Sequence, residues 1–344
     1  MRKRVIRLSL DDARWRSFVA ARPDAEPFHH PSWARLLADC YGYPAFALAL
    51  ADAAGEITAG IPVIDVRVPL RGRKWASLPF TDACPPLGRA PEDAEDLVGE
   101  VQQAARATGV RRVELRADVG RGCGHLEQAG VLHRLRLEGD PDAVFRRFHR
   151  SQVQRNVRRS EREGVEVRRA EAPSGLTEVF YSLHVKTRHR QGVPTQPRRY
   201  FQLLWDRVLS LGLGHVSLAY RDGAPIAGAV FLRWNGTLVY KYGASDPDYW
   251  SLRPNHLIFW DAIRSSCESG DHTVDFGRTE LSNTGLRAFK AGWGAEEAPL
   301  NYVVLGDRPS APARDPAAAL RPVLRRAPAW SCRALGALFY RYAA

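Results

Sequence analysis

Asp275-Phe276-Gly277-Arg278-Thr279-Glu280-Leu281-Ser282-Asn283-Thr284-Gly285-Leu286-Arg287-Ala288-Phe289-Lys290-Ala291-Gly292-Trp293-Gly294 is the stretch around which the chain is organised. An apolar strand over 273–276 breaks at Gly277, crosses a polar loop and leads into a brief helix carrying Leu286, Phe289 and Lys290. Polar side chains therefore crowd the mouth of a sheet. Lys290 stands out because the 50 basic residues include only five lysines: Lys3, Lys74, Lys186, Lys241 and Lys290. A position needing only positive charge draws arginine in such a chain, so a lysine here points to a compact, rotatable ammonium. The alternative is a solvated lysine beside a Phe289 that merely packs.

Working outward, residues 215–220, 225–234 and 237–242 read as three strands joined by turns at Asp222-Gly223 and Asn235-Gly236. Two helices, 175–189 and 198–211, precede them; a helix over 254–269 follows, and 300–305 is a final strand. Further upstream, a helix that opens at Pro141 and closes at Gly164 carries Arg146, Arg147, Arg150, Arg155, Arg158, Arg159 and Arg162. The first half has the same order: strand 5–10, two helices, a hairpin of 46–51 and 57–66, a helix over 91–108 and a strand over 112–116. Asp118 lies just past that strand, at the edge where α/β folds collect ligands. Gly55-Glu56-Ile57-Thr58-Ala59-Gly60 is echoed by Gly223-Ala224-Pro225-Ile226-Ala227-Gly228, each in a hairpin after two helices. The reading is two copies of one α/β unit.

A chain of 344 residues exceeds what one core usually organises. The expected divisions are 1–140, 141–306 and a proline-broken tail over 307–344, whose apolar helix at 330–342 is expected to pack back on the first domain; lying on a membrane surface is the alternative. Net charge of +12 favours a polyanionic partner. Five widely separated cysteines, with no Cys-x-x-Cys pair, suggest neither a disulfide framework nor a metal site. The N-terminus lacks an apolar signal core and the longest apolar run, 43–51, is too short to span a bilayer, so a cytoplasmic location is expected.

The element order, present twice, resembles tandem GNAT acyltransferase units. That doubling is the pattern of the FemABX (Fem-type) family, the tRNA-dependent aminoacyltransferases that build peptidoglycan cross-bridges. Arg155-Asn156-Val157-Arg158-Arg159-Ser160 before Gly164-Val165 resembles the family's basic helix. Thr187 to Gly192 with Tyr200-Phe201 resembles its substrate loop, Tyr242-Gly243-Ala244-Ser245-Asp246 with Pro254-Asn255 its central strand, and Asp275-Phe276-Gly277-Arg278 through Phe289-Lys290 its Phe-Lys signature. The implied fold class is α/β (α+β): two tandem GNAT-like units, each a mixed, mainly antiparallel sheet flanked by helices.

The resemblance implies an aminoacyl-tRNA donor and, as acceptor, an amine of a UDP-linked or lipid-linked muropeptide or similar peptide, with contact at the inner membrane face as a further implication. It places Lys290 at the oxyanion, Phe289 in the pocket wall and Asp118 at the amine proton. Arg35 and Arg190 match positions that hold a substrate diphosphate, although Arg35 replaces the family's lysine. Tyr242, Asn255 and Arg278 fall in substrate-binding segments, and Arg155, Arg158 and Arg159 in the tRNA- or polyanion-binding helix. The coiled-coil insertion of some members is absent. No cofactor or metal is implied. The alternatives are an acyl-CoA N-acyltransferase acting on a small amine, with acetyl-CoA or another acyl-CoA as donor, or a non-catalytic anion-binding relative. The Arg/Gln-x-x-Gly-x-Gly/Ala loop that holds CoA pyrophosphate is missing, which weighs against CoA.

Overall fold

The computed structural model describes residues 3–68, 72–120, 124–307 and 316–343, which group into two units. The first comprises 1–130, 299–313 and 341–344, and the second 131–298 and 314–340. In chain order the elements up to residue 115 are β1 (Arg4–Leu8), α1 (Ala13–Ala20), α2 (Pro31–Tyr41), β2 (Ala45–Ala51), β3 (Ile57–Val68), β4 (Gly72–Ala76), β5 (Leu87–Gly88), α3 (Pro91–Ala107) and β6 (Arg112–Leu115). There follow β7 (His125–Arg136), α4 (Pro141–Arg147), α5 (Arg155–Arg162), β8 (Glu166–Arg169), α6 (Tyr181–Gln191), α7 (Arg198–Arg207), β9 (Gly214–Arg221), β10 (Ala224–Trp234) and β11 (Thr237–Ser245). The last are α8 (Pro254–Glu268), β12 (Thr273–Thr279), α9 (Thr284–Gly292), β13 (Glu296–Gly306), α10 (Pro316–Arg326) and α11 (Ala329–Phe339).

The first unit's sheet runs β1-β2-β3-β4-β6-β13, antiparallel except for the parallel pair β4 and β6. Its helix α3 lays Leu97, Val98, Val101 and Ala105 on Phe46, Leu48, Leu50, Ile61 and Val63. Burying that apolar stripe, rather than helix propensity, is what stabilises the helix. The short β5 pairs with β3.

The second unit repeats this order as β8-β9-β10-β11-β12-β7, again antiparallel except for the parallel pair β11 and β12. Its hairpins turn where Asp222, Gly223, Asn235 and Gly236 all have positive φ, the backbone that matches strand twist in two-residue loops. Phe148, Phe231, Phe259, Trp260, Phe276 and Trp293 form an aromatic core beneath the sheet. Strand for strand, the two units are copies, as the hairpin echo suggests.

Four features differ from those read in the sequence. Residues 131–140 belong to the second unit because Val131–Arg136 pair with β12, and residues 299–306 to the first because Val303–Gly306 pair with β6. Hydrogen-bonded register decides membership, whatever the chain order. The basic segment is not one helix from Pro141: Phe148 is extended, His149 caps a new start, and a π-helical turn over Arg150–Gln154 leads into α5. Finally, α10 and α11 pack on α6 and group with the second unit, whereas the residues from Arg341 group with the first. Gly336 lets this happen, since a Cβ there would lie 1.7 Å from the Thr195 carbonyl oxygen, and the Thr195 N–H donates to Cys332 O at 3.0 Å.

Gly336→Val is therefore expected to push α11 off the loop after α6. Urea unfolding should show a loss of about 1–3 kcal/mol, with faster proteolysis of the tail. Unchanged protection of the tail would show that the close approach does not hold it.

Candidate active site in the second unit

β11 and β12 run parallel for only three registered pairs, Thr237 with Thr273, Leu238 with Val274 and Val239 with Asp275. Beyond these, the C-terminal ends of both strands carry the candidate residues: Tyr242 on β11, and Gly277 and Arg278 on β12. Side chains at the carboxyl ends of neighbouring parallel strands converge on one edge of a sheet, which is where ligands bind in α/β folds.

β12 is also irregular against β7. Its register shifts between Asp275, opposite Arg134, and Arg278, opposite Leu132, so the strand bulges at Gly277. Gly277 has φ 72°, a conformation that costs glycine nothing. The buried Asp275 carboxylate accepts the Gly277 N–H at 2.7 Å and the Arg134 Nε–H at 3.0 Å. Lys290 reaches the bulge: its Nζ donates to Gly277 O at 2.6 Å and to Arg278 O at 3.3 Å.

Lys290 is thus not a solvated surface lysine, since only 2 % of it is exposed. It sits in the final turn of α9, whose start is capped by Asn283 accepting the Leu286 N–H. A cation in a last turn is favoured by the helix dipole. Its neighbour Phe289 packs on His256, Phe259 and Trp293. His133, fully buried, places Nε2 3.0 Å from Glu297, and Glu297 is held in turn by a two-pronged bond from Arg287. Burial, and then the Lys290 charge, push the His133 imidazole below its ordinary pKa. None of His133, Arg287 or Glu297 stands out in the sequence, because they lie on three separate elements and no spacing links them.

At the end of β11, Tyr242 donates to the Tyr200 hydroxyl at 2.9 Å and packs edge-on to Phe201 and His184. Arg190, half-buried, stacks on Trp250 with its guanidinium carbon 4.6 Å from the ring centre and donates to Ser245 O at 3.3 Å. Desolvation pulls its pKa down, so a bound anion would relieve that cost. Asn255 occupies the first turn of α8, and its side chain has no hydrogen-bond partner among the described residues. Arg278 is exposed at the bulge.

Two predicted residues belong to the first unit. Asp118 is exposed, accepts from Asn301 Nδ2 at 2.9 Å and from the Gly120 N–H at 3.2 Å, and is held below the ordinary carboxylate range by those bonds. These are the contacts of a loop cap. Arg35 is paired with Asp11.

The basic segment forms a third cluster. Arg150, Gln154, Arg155, Arg158 and Arg162 line a groove of about 460 Å³. Arg150, Gln154, Arg158 and Arg162 recur every fourth residue, so one face carries them, and among the described residues no carboxylate pairs with those three arginines. Arg158 lies over the Phe145 ring at 5.7 Å. Arg159 points along another stripe, 3.8 Å from Glu163. The groove is tied to the bulge site, because the His149 N–H donates to Gly292 O at 2.9 Å, at the end of the helix that bears Lys290. Asn156 meets His256 at 3.4 Å. The i, i+4 recurrence was legible in the sequence and points to Arg150 and Arg162 ahead of Arg159.

Comparison with known proteins bears on the fold. The family model of the acetyltransferase (GNAT) domain matches residues 147–291. By structure, FemX superposes with a TM-score of 0.69 at 16% identity, over 86% of this chain and 96% of that one. The fold is the Fem-type tandem GNAT fold. L-PGS of Bacillus licheniformis shares it at a TM-score of 0.57 and 14% identity, over 92% of this chain and 97% of that one. In sequence, the lipid II:glycine glycyltransferase of Staphylococcus haemolyticus is 34% identical over 79 residues, 21% of this chain and 19% of that protein. That of Staphylococcus epidermidis matches over the same shares. The chain thus spans about a fifth of the length of the curated relatives it matches.

Burial fixes a pH dependence. His184 donates to Gln196 Oε1 at 2.9 Å within the aromatic cluster, and desolvation lowers its pKa to about 4; the same cause lowers His256 to about 4. In the unfolded chain both protonate near an ordinary 6.5. Their contribution to stability is therefore complete above that value and is lost as pH falls toward 4. Thermal unfolding should be flat from pH 8 to 7 and drop between pH 6.5 and 4, with a shallower drop in His184→Gln. An identical pH profile in that variant would remove His184 from the explanation.

Proposed function

We propose that the protein is an acyltransferase of the Fem type, moving an amino acid from an aminoacyl-tRNA to an amine of a peptidoglycan precursor, with a lipid-linked muropeptide as the preferred acceptor. The observation that carries the reading is the buried Lys290 ammonium on the bulged β12, in the GNAT unit, stitched by His149 to a carboxylate-free arginine groove. The lipid II glycyltransferases that it resembles over 79 residues supply the acceptor class.

Aminoacyl transfer demands alignment more than acid–base power. The acceptor amine attacks the ester carbonyl; the new C–N bond forms, the ester C–O bond breaks, and the amine proton leaves with the ribose oxygen. Between these events an oxyanion must be stabilised by a fixed charge. Lys290, locked by two carbonyls, has its position set before substrate arrives. Arg190, stacked on Trp250, would hold the acceptor's diphosphate, because a planar guanidinium binds such oxygens in a fork. The groove of Arg150, Arg155, Arg158 and Arg162 tracks the phosphates of the donor's acceptor stem.

Lys290→Met is expected to cut turnover by roughly two to three orders of magnitude with both substrates saturating. It should also lower stability by about 1–3 kcal/mol, because two carbonyls lose their donor. Lys290→Arg should be impaired as well, a guanidinium being unable to occupy the same point. Near-normal turnover in the Met variant would reduce Lys290 to a clamp on the bulge. Radiolabelled charged tRNAs tested against UDP-linked and lipid-linked muropeptide decide the donor, and transfer that survives RNase treatment of the donor would overturn it.

The groove makes a separate demand. Arg158→Glu with Arg162→Glu should weaken tRNA binding and flatten its salt dependence, by about one unit of slope per phosphate contact removed. Arg159→Glu should do much less, because that side chain already faces Glu163. Equal effects from the two variants would mean that net charge, and not the groove, binds the RNA.

A further inference from the structure

Ten large hydrophobic side chains are exposed among the described residues, and five of them, Leu320, Val323, Trp330, Leu338 and Phe339, fall on the two last helices. Their placement is regular. On α11, Cys332 and Gly336 face inward against the loop after α6. The opposite stripe, Trp330, Arg333, Ala334, Ala337 and Leu338, is exposed at every position and follows helical spacing. On α10, Leu324 is buried while Leu320 and Val323, three apart, are exposed. A soluble surface rarely gathers this much apolar area without a partner.

The charges around it identify that partner. From residue 316 to the end of the sequence there are five arginines (Arg321, Arg325, Arg326, Arg333 and Arg341) and no aspartate or glutamate. A second copy docking through the same face would bring arginine against arginine with no carboxylate to answer it. An anionic bilayer answers both features at once: acyl chains receive Trp330 and Leu338, and phosphate headgroups receive the exposed guanidinium groups of Arg325, Arg326 and Arg333. No described helix is long and apolar enough to cross a membrane, so the contact is one of lying on the surface.

We infer that α10 and α11 form a peripheral docking surface for anionic phospholipid bilayers. This deepens the proposed function, on which its purpose rests, by bringing the second unit to the membrane that would hold a lipid-linked acceptor. The binding itself stands on the tail alone.

The test is sedimentation of the full-length protein with vesicles of phosphatidylglycerol and phosphatidylcholine, without tRNA or muropeptide. Binding is expected to be roughly tenfold or more stronger than to pure phosphatidylcholine, and to fall with salt. Trp330→Glu with Leu338→Glu should abolish it while leaving the melting temperature unchanged, since both side chains are exposed; Trp330→Ala with Leu338→Ala gives the same comparison without new charge. Arg325→Glu with Arg326→Glu should remove the preference for anionic lipid. No binding by the wild type at low salt overturns the inference. So does binding that survives the tail variants, or that is lost instead with Arg158→Glu and Arg162→Glu. A dimer in light scattering that the Trp330 and Leu338 variants dissolve would make the face an interface between copies, also overturning it. Transfer to soluble UDP-linked muropeptide should be unchanged in the tail variants, so failure here leaves the transferase reading standing.

Discussion

The second unit depends on one ammonium bonded to two carbonyls. At the bulge in β12 the ammonium donates to Gly277 O and Arg278 O, and a buried polar group left without its partner costs more than most single contacts return. Lys290 is itself desolvated, so these bonds satisfy the ammonium as well as tying the helix to the strand. Asp275 completes the arrangement from the other side by holding the Gly277 N–H and the Arg134 guanidinium. The charge at the candidate site is thus fixed by the same bonds that hold the strand in its unusual shape, which is the condition for electrostatic stabilisation without reorganisation.

That coupling explains what could and could not be read from the chain. The strand and a short helix bearing Lys290 are local features, written in apolar runs, and the structure has both; at Gly277, read as a break, the strand instead bulges and continues to Thr279 because Arg278 and Thr279 still pair with β7. The repeat of strand order was legible for the same reason: hairpin turns at Asp222-Gly223 and Asn235-Gly236 are local chemistry. Partners across the sheet were not. β13 joins the first unit and β7 the second because of register, and register between strands separated by a whole unit leaves no periodic mark. His133 and Glu297 escaped notice likewise, each being unremarkable where it stands in sequence.

The tail shows the limit in another form. Its apolar helix was visible, but an apolar stripe says only that something covers it. What selects the second unit is Gly336, a residue whose contribution is the absence of a side chain, and no pattern of hydrophobicity registers an absence.

The arginines separate in the same manner into those with a job in the fold and those without one. Arg73 and Arg233 each meet a buried carboxylate, Asp65 and Asp271 respectively, and their loss would strand that charge, while Arg116 shares the buried Glu114 with Lys74. Arg150, Arg155 and Arg162 meet no carboxylate among the described residues, yet they stand together on a segment bonded to α9. Like charges held side by side repel, and that repulsion is a standing cost to the free protein. An anion laid in the groove would remove that cost. The His149 N–H holds Gly292 O, so the segment that bears these arginines is anchored to the end of the helix that carries Lys290, and a change of charge in the groove acts on a neighbour of the candidate site.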